Sequence, residues 1–175
     1  MKPFNILYNH KMMDWGALLY GMEEGYVNLH DINNYAQDLL DNTERDSPDF
    51  YSISLIASSQ DWTETKDLVK QLSKTNPEEQ IGHMPMKKWQ FAFLKNILES
   101  TFLKDHEKIE RIQSLYSDLL YPENMRNCSI YTQNNADPIE ECKKILHQLD
   151  EELSFKKNAP KQFFEKHSCL EEAGF

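Results

Sequence analysis

The sequence predicts an all-α fold, a compact single-domain bundle of about seven or eight helices. The chain has 175 residues, a length that suits one domain with a core of its own. Glycine is scarce, at five residues, and long runs of β-branched residues are missing, so sheets are disfavoured. Apolar residues recur at intervals of three and four between helix start and stop signals, which is typical of amphipathic helices.

The first two helices are predicted over about residues 11–23 and over residues 29–40. Apolar residues of the first share one helical face, and they are Trp15, Leu18, Leu19 and Met22. Gly25 favours an end soon after this stripe. Asn28, followed by Asp31, is typical of an N-cap with an acidic first turn, so the second helix begins there.

Three further helix starts follow in the middle of the chain. Ser47-Pro48 predicts an N-cap followed by proline at the first helical position, where a missing N–H costs nothing. Asp61 and Glu64 bracket the next start, and the buried stripe predicted behind it is Thr65, Leu68, Val69 and Leu72. Asn76-Pro77 repeats the cap-and-proline signal and predicts a short helical turn.

The second half opens with the most apolar segment, residues 86–99. Its apolar residues nearly encircle the helix axis, which predicts a central helix surrounded by others. Residues 104–120 form an amphipathic helix with Leu119 and Leu120 on its apolar face, and Pro122 prevents its continuation. Asp137-Pro138 then opens a last helix with Cys142 on its inner face.

Residues 127–133 are the best strand candidate, and an extended loop over the core is the equal alternative. A strand here needs a pairing partner that the sequence does not provide. After residue 156 the chain is charged, although it contains Phe163 and Phe164. The sequence therefore predicts a helical domain over 1–156 and a C-terminal tail over 157–175, either a short docked helix or a partly disordered segment.

The charge balance excludes several classes of partner. Lys and Arg total 19 against 29 Asp and Glu, giving a formal net charge of −10. Nucleic acids and anionic membrane surfaces attract clustered basic residues, so both are disfavoured. No segment has the apolar length of a membrane span, and no secretory signal opens the chain. We expect a cytoplasmic protein whose acidity keeps it soluble or attracts a basic protein partner.

No pattern of catalytic, cofactor-binding or metal-ligating residues stands out, so the sequence predicts neither a cofactor nor an enzyme. The strongest metal candidate, His106 with Glu110, lacks a third ligand and is better interpreted as a solvated helix face. His147 is expected to pair with Asp150 or Glu151 on the surface. The three cysteines, an odd number without close spacing, predict no disulfide framework.

The burial or exposure of individual cysteines and tryptophans is predicted from their neighbours in the sequence. Cys142 is predicted to be a buried, inert thiol, and Cys128 the more exposed one. Trp15 and Trp89 lie in apolar stripes and are predicted in the core. Trp62 follows polar residues and is the tryptophan expected to be exposed.

Two sequence patterns carry a family resemblance. The first consists of Trp15, Leu18, Gly21, Gly25-Tyr26-Val27, Asp31, Ile32 and Tyr35-Ala36. The second consists of Ile109-Glu110, Leu115-Tyr116-Ser117-Asp118, Tyr121-Pro122 and Tyr131, with Trp89 between the two. Together they resemble a family of small uncharacterised bacterial proteins whose members look like immunity proteins of polymorphic toxin systems.

The resemblance implies a non-catalytic protein-binding module that neutralises a bacterial toxin domain, which would be a basic protein. Under this interpretation the candidate contact surfaces are the acidic stretches Asp41–Asp49 and Asp150–Glu152, with Trp62 as an apolar anchor. A homo-oligomeric structural or adaptor protein is the alternative, and an enzyme whose site is assembled only by folding is a third. The sequence leaves the oligomeric state open.

Overall fold

The computed structural model describes residues 2–75, 84–131 and 136–158, which form helices joined by turns and loops. The α-helices are α1 Pro3–Asn9, α2 Trp15–Glu23, α3 Leu29–Leu40, α4 Phe50–Ser58, α5 Trp62–Thr75, α6 Met84–Leu98, α7 Asp105–Asp118 and α8 Pro138–Asn158. A 3-10 helix, Glu123–Cys128, lies between α7 and α8. No strand occurs in these ranges, and the predicted all-α fold is confirmed.

Helix α6 is the centre of the bundle. It packs against α1, α2, α7 and α8, and its fully buried side chains include Trp89, Phe91, Ala92 and Leu94. The remaining helices extend this core through α2, which also contacts α5, while α4 contacts both α3 and α5. The prediction of a surrounded central helix is therefore confirmed. None of the described helices combines the length and apolar character needed to cross a membrane.

Side-chain caps explain where two of the helices begin. Asp14 precedes α2, and its Oδ1 accepts a hydrogen bond from the backbone N–H of Ala17 at 2.8 Å. Asn28 precedes α3 and accepts from the N–H of Asp31 at 2.9 Å, while the Asp31 carboxylate accepts from the N–H of Asn28. This reciprocal capping box satisfies two backbone donors that the helix itself leaves unpaired.

The start predicted at Ser47-Pro48 is wrong by two positions. The carbonyl of Ser47 accepts a bond from the N–H of Phe50 at 3.1 Å and closes a turn. Helix α4 therefore begins at Phe50, with Asp49 in the N-cap position. The predicted turn at Asn76-Pro77 lies outside the described residues, as does most of the predicted tail.

Helix α1 was not predicted, because its seven residues carry too few apolar positions to show a helical period. Pro3 opens it, and Phe4, Ile6 and Leu7 are buried. A helix this short is not stable alone in water. Its packing against α6 supplies the stability that its own length does not.

The strand alternative for residues 127–133 is wrong over its described part. Cys128 ends the 3-10 helix, and Ile130 and Tyr131 lie in a turn. The side-chain amide of Gln113 donates to the carbonyl of Cys128 at 2.8 Å and accepts from the N–H of Ile130 at 3.2 Å. One side chain of α7 thus supplies both hydrogen bonds that a neighbouring strand would have made.

Helices α2 and α6 approach each other closely at Trp89. The indole N–H of Trp89 donates to the backbone carbonyl of Ala17 at 2.8 Å, which holds the ring against α2. A Cβ atom on Gly21 would lie 2.5 Å from Cζ2 of this ring. The approach of the two helices therefore requires glycine at position 21, because any side chain would overlap the indole.

We predict that Gly21→Ala lowers the free energy of unfolding by about 1–3 kcal/mol, because the new methyl group forces the indole or α2 to move. Urea denaturation measures this loss. The control is Gly25→Asn, at a position where φ is +73° and a Cβ meets nothing within 4 Å. Asparagine tolerates that conformation, so the control should lose less than the Gly21 variant. Equal loss in both variants would contradict the close-packing argument.

A partly buried ion pair also links α2 to α6. The ammonium group of Lys88 contacts the carboxylate of Asp14, and their side chains are only 12% and 21% exposed. Burial lowers the pKa of Lys88 from 10.5 to about 8, and the Asp14 carboxylate opposes this by favouring the charged form. Asp14 therefore both caps α2 and compensates a desolvated cation.

We predict that Asp14→Asn costs about 1–3 kcal/mol of stability at pH 7, because it keeps an acceptor for Ala17 but removes the counter-ion of Lys88. The folded-state pKa of Lys88 is already about 8 in wild type, so the folded state binds fewer protons than the unfolded state between about pH 8 and 10.5, and the stability of wild type and variant should rise alike through that range. Removal of the Asp14 carboxylate lowers this pKa further, so the deficit of the variant should shrink as the pH rises towards 8 and stay constant above it. Urea titrations at several pH values test this, and a deficit that does not change below pH 8 would assign the loss to something other than charge.

Candidate functional site

A groove of about 600 Å³ lies where the ends of several helices meet, and we call it the α7 groove. It is bounded by the end of α2, the start of α6, the end of α7, residues 122–124 and α8. Its lining includes the largely buried Leu119, Ile145 and Leu149, which form an apolar floor. Leu120 and Pro122 also line it, and Leu120 is 84% exposed at the rim.

The charged side chains of the α7 groove are mainly acidic. Its lining contains one lysine, Lys87, and four carboxylates, which are Glu24, Asp118, Glu123 and Glu152. The Lys87 ammonium group donates to both carboxylate oxygens of Glu152, at 2.7 and 2.9 Å. That bond compensates one negative charge, and Arg126 pairs with Glu123 at 3.5 Å, which leaves Glu24 and Asp118 without a basic partner in the lining.

The pKa of a neighbouring tyrosine is affected by burial and, to a smaller extent, by two of these carboxylates. Burial raises the pKa of Tyr26 to about 12, and the carboxylates of Glu24 and Asp118 contribute to the shift. Negative charges oppose the formation of another one nearby. The ring of Tyr26 packs edge-on against Phe93, with centroids 4.9 Å apart, so the aromatic core extends from α6 to this acidic edge.

The backbone beside the groove is strained. Leu120 and Tyr121 have φ values of +58° and +59°, a left-handed conformation that costs about 1–2 kcal/mol for a residue with a Cβ. The bond from the N–H of Tyr121 to the carbonyl of Tyr116, at 2.8 Å, closes the end of α7. Glycine usually occupies such a helix end. Leu120 adopts this conformation although its large apolar side chain stays in solvent.

The prediction that Leu120 continues the apolar face of α7 is wrong. The helix ends at Asp118, and the left-handed turn rotates Leu120 outward while Leu119 stays buried. A helical period cannot anticipate this rotation, because the sequence offers neither glycine nor asparagine as a signal. Strain of this kind clusters at functional sites in proteins, where it holds a side chain in a working position.

The chemistry available in the groove is that of binding a cation with an apolar stem. Lysine and arginine bury their methylene groups on apolar surface while the charge stays with polar partners. A floor of leucine and isoleucine beneath carboxylates offers both environments. The described lining contains no histidine, cysteine, serine or threonine.

The other candidates from the sequence have clear positions. Trp15 and Trp89 are buried as predicted, and Trp62 is exposed as predicted, at 38%. His147 pairs with Glu151 on the surface, with Nε2 3.4 Å from Oε1, which confirms that assignment. His106 and Glu110 lie on α7, and no group of three or more histidine, cysteine or carboxylate side chains that could hold a metal ion occurs among the described residues.

The prediction for Cys128 is wrong. It is fully buried at the end of the 3-10 helix, and its Sγ lies 2.7 Å from Sγ of Cys142. Cys142 is buried as predicted. The polar neighbours of Cys128 in the sequence gave no sign of this, because only the packing of the 3-10 helix on α8 turns the thiol inward.

The fold and the groove define a helical protein with an acidic, apolar-floored groove over its described residues. The chain matches a family model described as an uncharacterized protein conserved in bacteria, DUF2247, over residues 4–166, and it belongs to that family. No curated protein and no solved structure matches the chain. The family description names no activity and no partner.

We predict that Leu120→Gly raises the free energy of unfolding by about 0.5–1 kcal/mol, because relief of the left-handed strain exceeds the entropy that glycine adds to the unfolded chain. Little burial is lost, since the leucine is 84% exposed. Leu120→Ala is the matched control, because it shortens the side chain and keeps the Cβ responsible for the strain. A thermal melt in which both variants shift equally would exclude strain as the cause.

Proposed function

We propose that this protein is a non-catalytic binding module, an immunity protein that neutralises a bacterial toxin domain docked at the α7 groove. The observation that carries the proposal is the strained, exposed Leu120–Tyr121 pair beside a groove with excess negative charge. Stability alone would favour glycine at position 120. A leucine held in solvent at this cost is explained by contact with a partner.

A protein partner suits the surface better than a small molecule. Tyr121 is 63% exposed and Leu120 is 84% exposed, so the apolar contact area continues from the groove onto the outer surface. Aromatic and large apolar side chains surrounded by charged ones are typical of the centre of a protein interface. The occupant we propose is a basic protein that inserts a lysine or arginine side chain between the groove carboxylates.

Charge complementarity favours this occupant. Two carboxylates of the groove, those of Glu24 and Asp118, lie beyond the pairs that Lys87 forms with Glu152 and Arg126 forms with Glu123. The formal net charge of the chain is −10, which adds long-range attraction for a basic partner and raises the association rate. The same charge would repel nucleic acids and anionic membranes.

The family resemblance is consistent with this site. Tyr26 belongs to the first pattern, and Tyr116, Asp118 and Tyr121 belong to the second. These residues meet at one end of the bundle, where Asp118 acts on the pKa of Tyr26 and Tyr121 packs edge-on against Tyr116 with centroids 5.2 Å apart. Since an immunity protein acts where toxins reach their targets, we also propose a cytoplasmic location.

The groove competes with the two acidic stretches that the sequence alone singled out. Residues 41–49 lie between α3 and α4, away from the groove lining, whereas Glu152 of the second stretch is itself a lining residue. Charge reversals of equal size at the three places therefore separate them. The pairs are Asp118→Lys with Glu123→Lys in the groove, Asp41→Lys with Asp46→Lys in the loop, and Asp150→Lys with Glu151→Lys on α8.

We predict that only the groove pair slows association with the partner, by about tenfold or more at low salt, because it reverses charge at the point of contact. Wild type and the three variants serve as baits in a lysate of the source bacterium at low and moderate salt. Each basic protein that the groove variant loses is then expressed in a bacterial host with and without the four baits. Association rates are measured by surface plasmon resonance.

Support requires that the captured protein arrests growth and that wild type and the loop variant restore growth while the groove variant does not. Equal protection by all variants would remove the groove from the interface. A captured protein that is harmless on its own would overturn the immunity proposal. Recovery of this chain alone, with a dimer in solution, would favour the homo-oligomeric alternative.

A further inference from the structure

A pair of buried thiols lies between the 3-10 helix and α8. Cys128 ends the 3-10 helix, Cys142 lies in the first part of α8, and both side chains are fully buried. Their Sγ atoms are 2.7 Å apart. A disulfide bond is about 2.05 Å long, so the two sulfur atoms need to move by less than an ångström to form one.

We propose that Cys128 and Cys142 form an oxidisable dithiol that closes to an intrachain disulfide when the protein meets hydrogen peroxide. The inference is independent of the proposed toxin partner, because it rests on the placement of the two thiols alone. It assigns a modification site to residues that the groove does not use.

The reaction balances with peroxide as the oxidant. The thiolate of one cysteine attacks a peroxide oxygen, forming a sulfenic acid and releasing hydroxide, which takes up the proton that the thiol lost. The second thiol then attacks the sulfenic sulfur and displaces a second water. Two thiols and one peroxide give one disulfide and two waters, so the cysteines lose two electrons that the peroxide gains.

Burial makes this reaction slow in the closed structure. The hydrogen bond to Cys128, together with burial, raises the pKa of the Cys142 thiol, and the neutral thiol is a poor nucleophile. The thiols therefore react when the 3-10 helix lifts locally from α8. Gln113 opposes that opening, because its amide holds the carbonyl of Cys128 and the N–H of Ile130.

Oxidation would fix the edge of the α7 groove. Glu123 and Asn124 belong to the 3-10 helix and line the groove opposite Ile145 and Leu149 of α8. A covalent link between the two elements removes conformations from the unfolded chain and from the locally opened state. We therefore expect higher thermal stability in the oxidised form.

The experiment uses the full chain with Cys169→Ser, so that only the proposed pair can react, and wild type beside it. Both are treated with hydrogen peroxide, blocked with iodoacetamide and analysed by mass spectrometry before and after reduction. We expect the loss of two hydrogen masses without alkylation, and a non-reduced peptide that joins Cys128 to Cys142. The melting temperature should rise by about 5 °C or more and return to its starting value on reduction.

Two variants test the mechanism. Cys169→Ser with Cys142→Ser should show no loss of hydrogen and no rise in melting temperature. Cys169→Ser with Gln113→Ala should oxidise severalfold faster, because the segment opens more often. Two alkylated thiols after peroxide treatment, oxidation beyond the sulfenic state, or a linkage to Cys169 in wild type would each overturn the proposal. An unchanged rate with Gln113→Ala would overturn the opening step.

Discussion

The fold depends on how closely α2 approaches α6, and that distance is set by Trp89. Its ring rests on the bare backbone at Gly21, while its N–H satisfies the carbonyl of Ala17, so packing and hydrogen bonding fix the same geometry. A tryptophan in a core needs a partner for its N–H. Here that partner is a helix carbonyl, which ties the central helix to α2 and, through α2, to α5.

The same contact positions the α7 groove. Because α2 ends beside the start of α6, Tyr20 and Glu24 lie next to Met86 and Lys87 in the groove lining. Hydrogen bonds from side-chain amides hold the opposite side of the groove. Gln90 of α6 exchanges two hydrogen bonds with Asn124, at 3.1 and 3.2 Å, and the amide of Gln113 holds the chain beyond Cys128. Rigid elements thus position a site made of helix ends.

Helices with a repeated apolar pattern were predicted from the sequence, whereas features that depend on a single contact or a single backbone angle were missed. Helices α2, α3, α5, α6 and α8 repeat apolar residues over several turns, so their periods and caps placed them. Helix α1 has two turns and is stable only against α6, a contact that no local pattern encodes. The turn after Cys128 depends on Gln113, and the outward rotation of Leu120 depends on a backbone angle. Because these features arise from single long-range contacts or strained dihedrals, the groove could not be predicted, although the acidity of the chain as a whole could.

The backbone strain at Leu120 and the negative charge of the groove support the same proposal. Carboxylates gathered in a concave surface give it a negative potential. Lys87 pairs with Glu152 and Arg126 with Glu123 at 3.5 Å, and the lining contains no further lysine or arginine for Glu24 and Asp118. A cationic side chain would compensate these two carboxylates, and an apolar partner surface would cover Leu120. The basic partner that we propose would therefore act on the exposed leucine and on the negative charge at one place, whereas a surface selected for stability alone would carry glycine at position 120.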